Sequence, residues 1–373
     1  MTRRFCLAGA VLALTAGLGL TACGSKDVTP SQRAAYAFVL WALGYDTDDL
    51  YAYGMDSDGS INSTPLSIYP DRHAHPSYFL AATSVNSGYH YLVDTDTDDD
   101  DMDVYSYDDE DGHLVYEGTI TDTYGPRALV YDPYWDEYFV IEAGTSTVAV
   151  YETLGALPFL ELGDRYTIPE GAGAAVIIPS TQNFYIGGSV GTSSSQDFDL
   201  TGYSRGANKT LNPIGNYTYG SQVSWLGLIG NVGNFADIDN GGSGGAIQVQ
   251  VLLDHATGGP TVIQQIPLAG ATTGGCTSGA LDTTFCYFAI GNGIAQYQFN
   301  ASSGQLTALS PGAITTGTAA LTRLSIGPSD TFLLASDANG YTTSYPIGST
   351  GQVGAPISSI PHANFALPFR LSF

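Results

Sequence analysis

A hairpin that recurs about every 48 residues constrains this chain more than any other feature. Seven stretches share one pattern: an alternating strand, a turn that usually carries glycine, and a second alternating strand. They begin at Leu50 ("LYAYGMDSDGSINSTPL"), Val104, Val148, Leu200, Ala246, Ile294 and Thr342. Alternation of apolar and polar residues marks a strand with two unlike faces. Tyr53, Tyr107, Tyr151, Tyr203, Tyr297 and Tyr345 take one place in six copies, and Val249 takes it in the other. A repeat of this length fits a four-stranded propeller blade.

The residues before each hairpin supply the other two strands. In the third blade "PRALVYD" and "EYFVIEA" precede "TVAVYET", and in the seventh "TRLSIGP" and "TFLLASD" precede "YTTSYPI". The first blade is short of one strand, because "AAYAFVLWAL" runs directly into "LYAYGM", while the terminal "HANFALPFRLSF" is one strand too many. The two ends are therefore expected to meet, the last segment serving as the innermost strand of the first blade. Closure of this kind removes the open edges of a repeat array. An outer-membrane barrel would need an apolar lipid-facing band and a shorter hairpin spacing. The expected fold is all-β, a seven-bladed β-propeller closed by the C-terminal strand, over residues 34–373.

The start of the chain has a different job. Arg3 and Arg4 precede the apolar run "FCLAGAVLALTAGLGL", too short for a comfortable membrane span, which ends in "LTAC" at Leu20–Cys23. That tetrapeptide resembles the lipobox of bacterial lipoproteins. The resemblance implies removal of residues 1–22, acylation of Cys23, and a polar tether over 23–33. Several acyl chains hold a protein firmly on a bilayer. Gly24, standing where Asp would retain the protein at the inner membrane, implies the outer membrane.

The whole chain carries 36 acidic and 11 basic residues, a net charge of −25. A surface this acidic repels nucleic acid and anionic lipid, so the membrane is reached through the anchor only. Cations, neutral small molecules or proteins are the partners left, and a monomer is expected. Cys276 and Cys286 bracket Leu281 symmetrically in "CTSGALDTTFC". Across a hairpin they would face each other, and a secreted chain meets an oxidising compartment that favours a disulfide. Free thiols and a metal site are the alternatives, although no histidine lies near them in sequence.

"GPRALVYDPYWDEYFVIEAGTSTVAVY", Gly125 to Tyr151, resembles a blade of the lactonase-like seven-bladed propellers, the family that includes 6-phosphogluconolactonase. "HPSYFLAATSVNSGYHYLVDTD" and "TRLSIGPSDTFLLASDANGYTTSY" are similar to other blades of that family. In it, the first stretch starts Gly-Pro-Arg-His and ends its second strand on Glu, and these side chains are proposed to line a lactone site. Arg127 and Glu142 match; the histidine position is Ala128. Lactone hydrolysis needs a base for water and a cation for the developing oxyanion. Arg127 could supply the cation, Glu142 would need a raised pKa to act as base, and Ala128 can do neither.

Propeller topology would gather further side chains on the same rim: Arg323, Asp71, Arg72, His73 and His75 from "YPDRHAHP", Asp164, Arg165 and Glu170 from "GDRYTIPEG", and His362. Converging loops over a central channel make the default pocket. The arginines among them, Arg72, Arg127, Arg165 and Arg323, form either a local positive cluster or a set of blade-fixing ion pairs. "DTDTDDDDMD", Asp94 to Asp103, offers oxygen ligands that suit Ca²⁺, with Asp94, Asp96 and Asp98 joined by Asp46 and Asp48 from the neighbouring blade. The plainer reading is a solvated acidic loop. His73 and His75 with Asp71 could hold a metal, or form a polar loop without one. No cofactor is required by any motif, no serine nucleophile elbow stands out, and "GGSGG" at Gly241–Gly245 reads as a flexible loop. The expected function is a non-catalytic module that binds a small molecule or a protein at the rim. The alternative is a hydrolase of a lactone or sugar derivative using Arg127 and Glu142.

Overall fold

Seven apolar clusters make up the core, and each is pressed between two neighbouring sheets. The computed structural model describes residues 36–370 apart from the segments 45–48, 71–75, 84–89, 109–111, 154–159, 169–170, 189–199, 207–208, 218–221, 231–232, 240–245, 257, 279–283, 318, 362 and 364. The described residues form seven four-stranded antiparallel sheets and no helix. The fold is a seven-bladed β-propeller.

Within blades 2 to 7 the strands run from the channel outward in chain order. Second strands are sandwiched on both faces by neighbouring blades: Phe38–Leu43, Glu137–Glu142 and Phe332–Asp337 are buried along their whole length. Outermost strands such as Gln305–Thr315 are mostly exposed. This graded burial explains why the hairpins of the third and fourth strands show the cleanest alternation in the sequence.

The ring closes as the spare strand requires. Phe365–Arg370 pairs antiparallel with Phe38–Leu43, from Phe38 opposite Arg370 to Leu43 opposite Phe365, and becomes the innermost strand of blade 1. The joint is sealed by a cluster that combines Phe38, Leu40 and Tyr53 of blade 1 with Phe332, Leu334 and Ile360 of blade 7. Phe38 and Phe332 meet edge to face at 5.4 Å, a favoured geometry for aromatic pairs.

The repeated tyrosines are core residues that face the preceding blade. Tyr151 packs with Tyr91 and Val93 of blade 2, and Tyr345 with Phe285 and Tyr287 of blade 6. Blade 5 corrects the reading of Val249. Its side chain packs toward blade 6, and the residue that packs toward blade 4 is Leu252, opposite Phe235. A strand period of two makes an odd offset a change of face.

Cys276 and Cys286 are direct cross-strand partners in blade 6 and form a disulfide, with Cα atoms 4.1 Å apart. It sits at the turn between first and second strands, on the rim opposite the one that carries the candidate site.

Candidate functional site

One rim is formed by the turns between second and third strands together with the links from one blade to the next. Gly125, in the link to blade 3, has φ +62 and donates its N–H to Asp100 Oδ1 at 2.5 Å. Glycine is suited to that left-handed conformation. The link is further tied to blade 2 by Thr97 Oγ1, which donates to the Pro126 carbonyl at 2.8 Å.

The innermost strand of blade 3, Pro126–Asp132, then begins with a bulge. Pro126 pairs with Glu142 and Ala128 with Ile141, leaving Arg127 as the extra residue. The same irregularity opens the innermost strands of blade 2, between Pro76 and Tyr78, blade 5, between Val223 and Trp225, and blade 7, between Leu321 and Arg323. Bulges re-aim side chains where a strand reaches a rim. In this alignment Ala128, Trp225 and Arg323 occupy equivalent places.

These three side chains line a central cavity of about 250 Å³. Its wall is drawn from the innermost strands of blades 1, 3, 4, 5, 6 and 7 and is of mixed polarity, with Ser224, Thr273 and Ser325 among Leu129, Trp225, Leu226, Leu324 and Leu367. Arg323 is the one charged residue among the described residues that line it. Arg127 is exposed at the mouth, its stem passing Gly173: a Cβ built there would lie 3.6 Å from Arg127 Cδ. It makes no ion pair among the described residues.

Glu142 is placed differently. Its carboxylate is fully buried on the face of blade 3 that meets blade 2. Arg165, on the outermost strand Leu160–Thr167, donates from Nε to Oε2 at 3.0 Å and from Nη2 to Oε1 at 3.2 Å, and Thr147 Oγ1 donates to Oε2 at 2.7 Å. Arg165 also pairs with Asp122 at 3.4 Å, donates to the Asp122 carbonyl, and lies over the Tyr124 ring at 5.0 Å. Tyr151 donates to the same carbonyl at 3.1 Å. Burial pushes the Tyr151 hydroxyl well above its ordinary pKa, and the Glu142 charge adds to the effect. The group as a whole clamps the link between blades 2 and 3.

Glu142 also belongs to a repeat. The last residue of the second strand is a buried acid in blades 2, 3, 5 and 7: Asp96, Glu142, Asp239 and Asp337. Each serves its own sheet or turn. Asp96 accepts from the N–H groups of Asp98 and Asp99, Asp239 from Gln248 and Gln250, and Asp337 from Asn339 and Tyr341.

The arginine cluster expected from sequence is therefore divided among different sites. Arg165 is spent on Glu142 and Asp122, Arg323 lines the channel from blade 7, and Arg127 stands at its mouth. Asp71, Arg72, His73, His75, Glu170 and His362 lie outside the described residues, as do Asp46 and Asp48. Asp94 and Asp96 are buried, whereas Asp98 is exposed in the turn. Asp101 and Asp103 stand directly opposite Asp96 and Asp94. Among the described residues no group of three or more His, Cys, Asp or Glu is arranged to hold a metal ion. Asp122, Tyr124 and Trp225 were missed from sequence. Trp225 takes the place of Ala128 and Arg323 through a bulge that only the register shows.

Fold and rim define a closed seven-bladed propeller with a central channel of mixed polarity and a buried ion pair beside it. No protein-family model and no curated protein matches the chain. Solved structures do. The periplasmic gluconolactonase of Pseudomonas aeruginosa matches with a TM-score of 0.68 at 16% identity, covering 90% of this chain and 99% of that one. A putative 6-phosphogluconolactonase from Bacteroides uniformis matches with a TM-score of 0.67 at 16% identity, over 89% and 99% of the two chains. A protein of unknown function from Desulfotomaculum acetoxidans gives 0.69 at 11% identity, over 90% and 99%. At such identities the likeness establishes the propeller fold.

Proposed function

We propose that this chain is a lipid-anchored, non-catalytic binding propeller of the bacterial outer membrane. The observation that carries this reading is Glu142: a fully buried carboxylate whose two oxygens are taken by Arg165 and Thr147. A general base must reach the proton it removes, and this one is committed to the blade. Ala128 supports the same reading, since a methyl group stands on the channel wall where the resembling family has histidine. Anchoring rests on the sequence at Cys23, and Cys23→Ser should release the protein from the membrane fraction.

The alternative is a lactone hydrolase. The shared fold with a gluconolactonase and the exposed guanidinium of Arg127 at the channel mouth favour it. Five- and six-membered sugar lactones, incubated with wild type, Arg127→Ala and Glu142→Gln, separate the two. The binding reading expects hydrolysis at the spontaneous rate with all three. Enzymatic turnover that either substitution abolishes, with the fold retained, would overturn it.

A further inference from the structure

Blade 5 carries a buried polar group on its second and third strands, Asn234–Asp239 and Gln248–His255. Asp237 stands directly opposite Gln250, and Asp239 opposite Gln248. A strand period of two puts all four on the face of Phe235 and Leu252, which packs against Tyr185 and Leu200 of blade 4. Asp237 and Gln250 have no exposure, Asp239 has 2%, and Gln248 is half-buried. Both amides serve Asp239: Gln250 Nε2 donates to its Oδ2 at 2.8 Å, and Gln248 Nε2 donates to the same oxygen at 3.0 Å. The Gln250 amide is thereby oriented, because the flipped amide would set its oxygen against the Asp239 carboxylate. Gln250 Oε1 is left buried, with no hydrogen-bond partner among the described residues. Its cross-strand neighbour is the Asp237 carboxylate, since side chains directly opposite on one face start about 4.5–5.5 Å apart at Cβ.

From this we infer that the seam between blades 4 and 5 binds a calcium ion, with Asp237, Asp239 and Gln250 Oε1 as ligands. A buried amide oxygen beside a buried carboxylate sets acceptor against acceptor, and a cation satisfies both. Each carboxylate oxygen has two lone pairs, so Asp239 can hold the two amides and the ion together. Charge selects a divalent ion: two carboxylates neutralise it, whereas Na⁺ would leave a net charge in the seam. Ca²⁺ takes about 6–8 oxygen ligands in flexible geometry and accepts amide and backbone carbonyls, while Mg²⁺ demands a strict octahedron and keeps several waters. A site between two packed sheets suits the former. With two acids and an amide it is chemically distinct from the acidic turn at Asp94–Asp103, and it is independent of what binds in the channel.

Calorimetry with Ca²⁺ and thermal melting of the full chain test the inference. Ca²⁺ should fill a saturable site with a Kd of about 10⁻⁴–10⁻³ M, and Mg²⁺ should bind about tenfold more weakly. About 10 mM Ca²⁺ should raise the melting temperature by about 2–4 °C over chelator. Asp237→Asn should weaken Ca²⁺ binding at least about tenfold. In chelator it should melt no lower than wild type, because it removes a charge that then lacks its ion. A carboxylate with a purely structural role would lose stability with and without Ca²⁺ alike. Asp98→Asn, exposed in the acidic turn of blade 2, should leave the uptake unchanged, which separates this site from diffuse binding to an acidic surface. Gln250→Glu should bind Ca²⁺ more tightly than wild type and melt lower in chelator, which keeps the test decisive if Asp237→Asn fails to fold. A buried water in place of the ion would satisfy Gln250 with no response to Ca²⁺. No saturable uptake, uptake lost in Asp98→Asn and kept in Asp237→Asn, or unchanged affinity in Gln250→Glu would each overturn the inference.

Discussion

Arg165 grips Glu142 across the width of blade 3, by two hydrogen bonds of 3.0 and 3.2 Å. One residue is on the outermost strand and the other on the second, with Thr147 of the third strand between them as an additional donor. A carboxylate with no exposure needs such partners, because an uncompensated buried charge is very unfavourable. Arg165 in turn reaches the blade 2 to blade 3 link through Asp122 and Tyr124. Arg127 and Glu142, paired in the sequence reading, are placed apart in the fold: Arg127 is exposed, and Glu142 is buried and held by Arg165 and Thr147.

Restoring histidine at position 128 should therefore not restore hydrolysis. Ala128 is 6% exposed and packs with Phe139 and Ile141 while also bordering the channel. Ala128→His is expected to destabilise by about 1–3 kcal/mol through overpacking, and to leave lactone hydrolysis at the spontaneous rate. Turnover gained by this single change would show that Glu142 is accessible after all.

A second buried group makes stability depend on pH. Asp132 has no exposure, and its Oδ2 lacks a hydrogen-bond partner among the described residues. Burial raises its pKa, only partly offset by the Tyr134 and Trp135 N–H groups and by Arg205. Between its unfolded and its raised folded pKa, the native state binds more protons than the unfolded state, so stability falls as pH climbs through that window. Glu137, directly opposite Asp132, is raised by burial in the same direction. Asp132→Asn should gain about 1 kcal/mol at pH 7 and much less at pH 4, read by urea unfolding at both values. A larger gain at pH 4 would contradict the assignment.

Reduction of the Cys276–Cys286 bond should lower the melting temperature. The bridge closes a loop with a sequence separation of 10, for which restricted unfolded-chain entropy gives about 2–3 kcal/mol. Cys276→Ser should show a comparable loss, and a variant as stable as the oxidised wild type would count against it.

Much of the architecture could be read in advance, because strand alternation and a period near 48 are local signals. The surplus strand at the C-terminus announced its own partner, Phe38–Leu43, by counting alone. The disulfide was legible from symmetry about Leu281. What could not be read were relationships set by register. Val249 and Leu252 differ by an odd number of positions, so an apolar match in sequence fell on the wrong face. Arg165 reaches Glu142 only because a bulge at Val150/Tyr151 sets the register of the outermost strand against the third. Arg323 came into the same cavity as Ala128 through equivalent bulges in blades 7 and 3, which leave no mark in residue type.

The bond between Arg165 and Glu142 is best measured by a double-mutant cycle on unfolding free energy, using Arg165→Met, Glu142→Gln and the pair together. Arg165→Met should be the more damaging single change, because it leaves the Glu142 charge buried without its cation, and the two changes should couple by about 2 kcal/mol. Additivity within about 0.5 kcal/mol would mean that Glu142 is not committed to Arg165, and would return it to the list of groups available for chemistry at the rim.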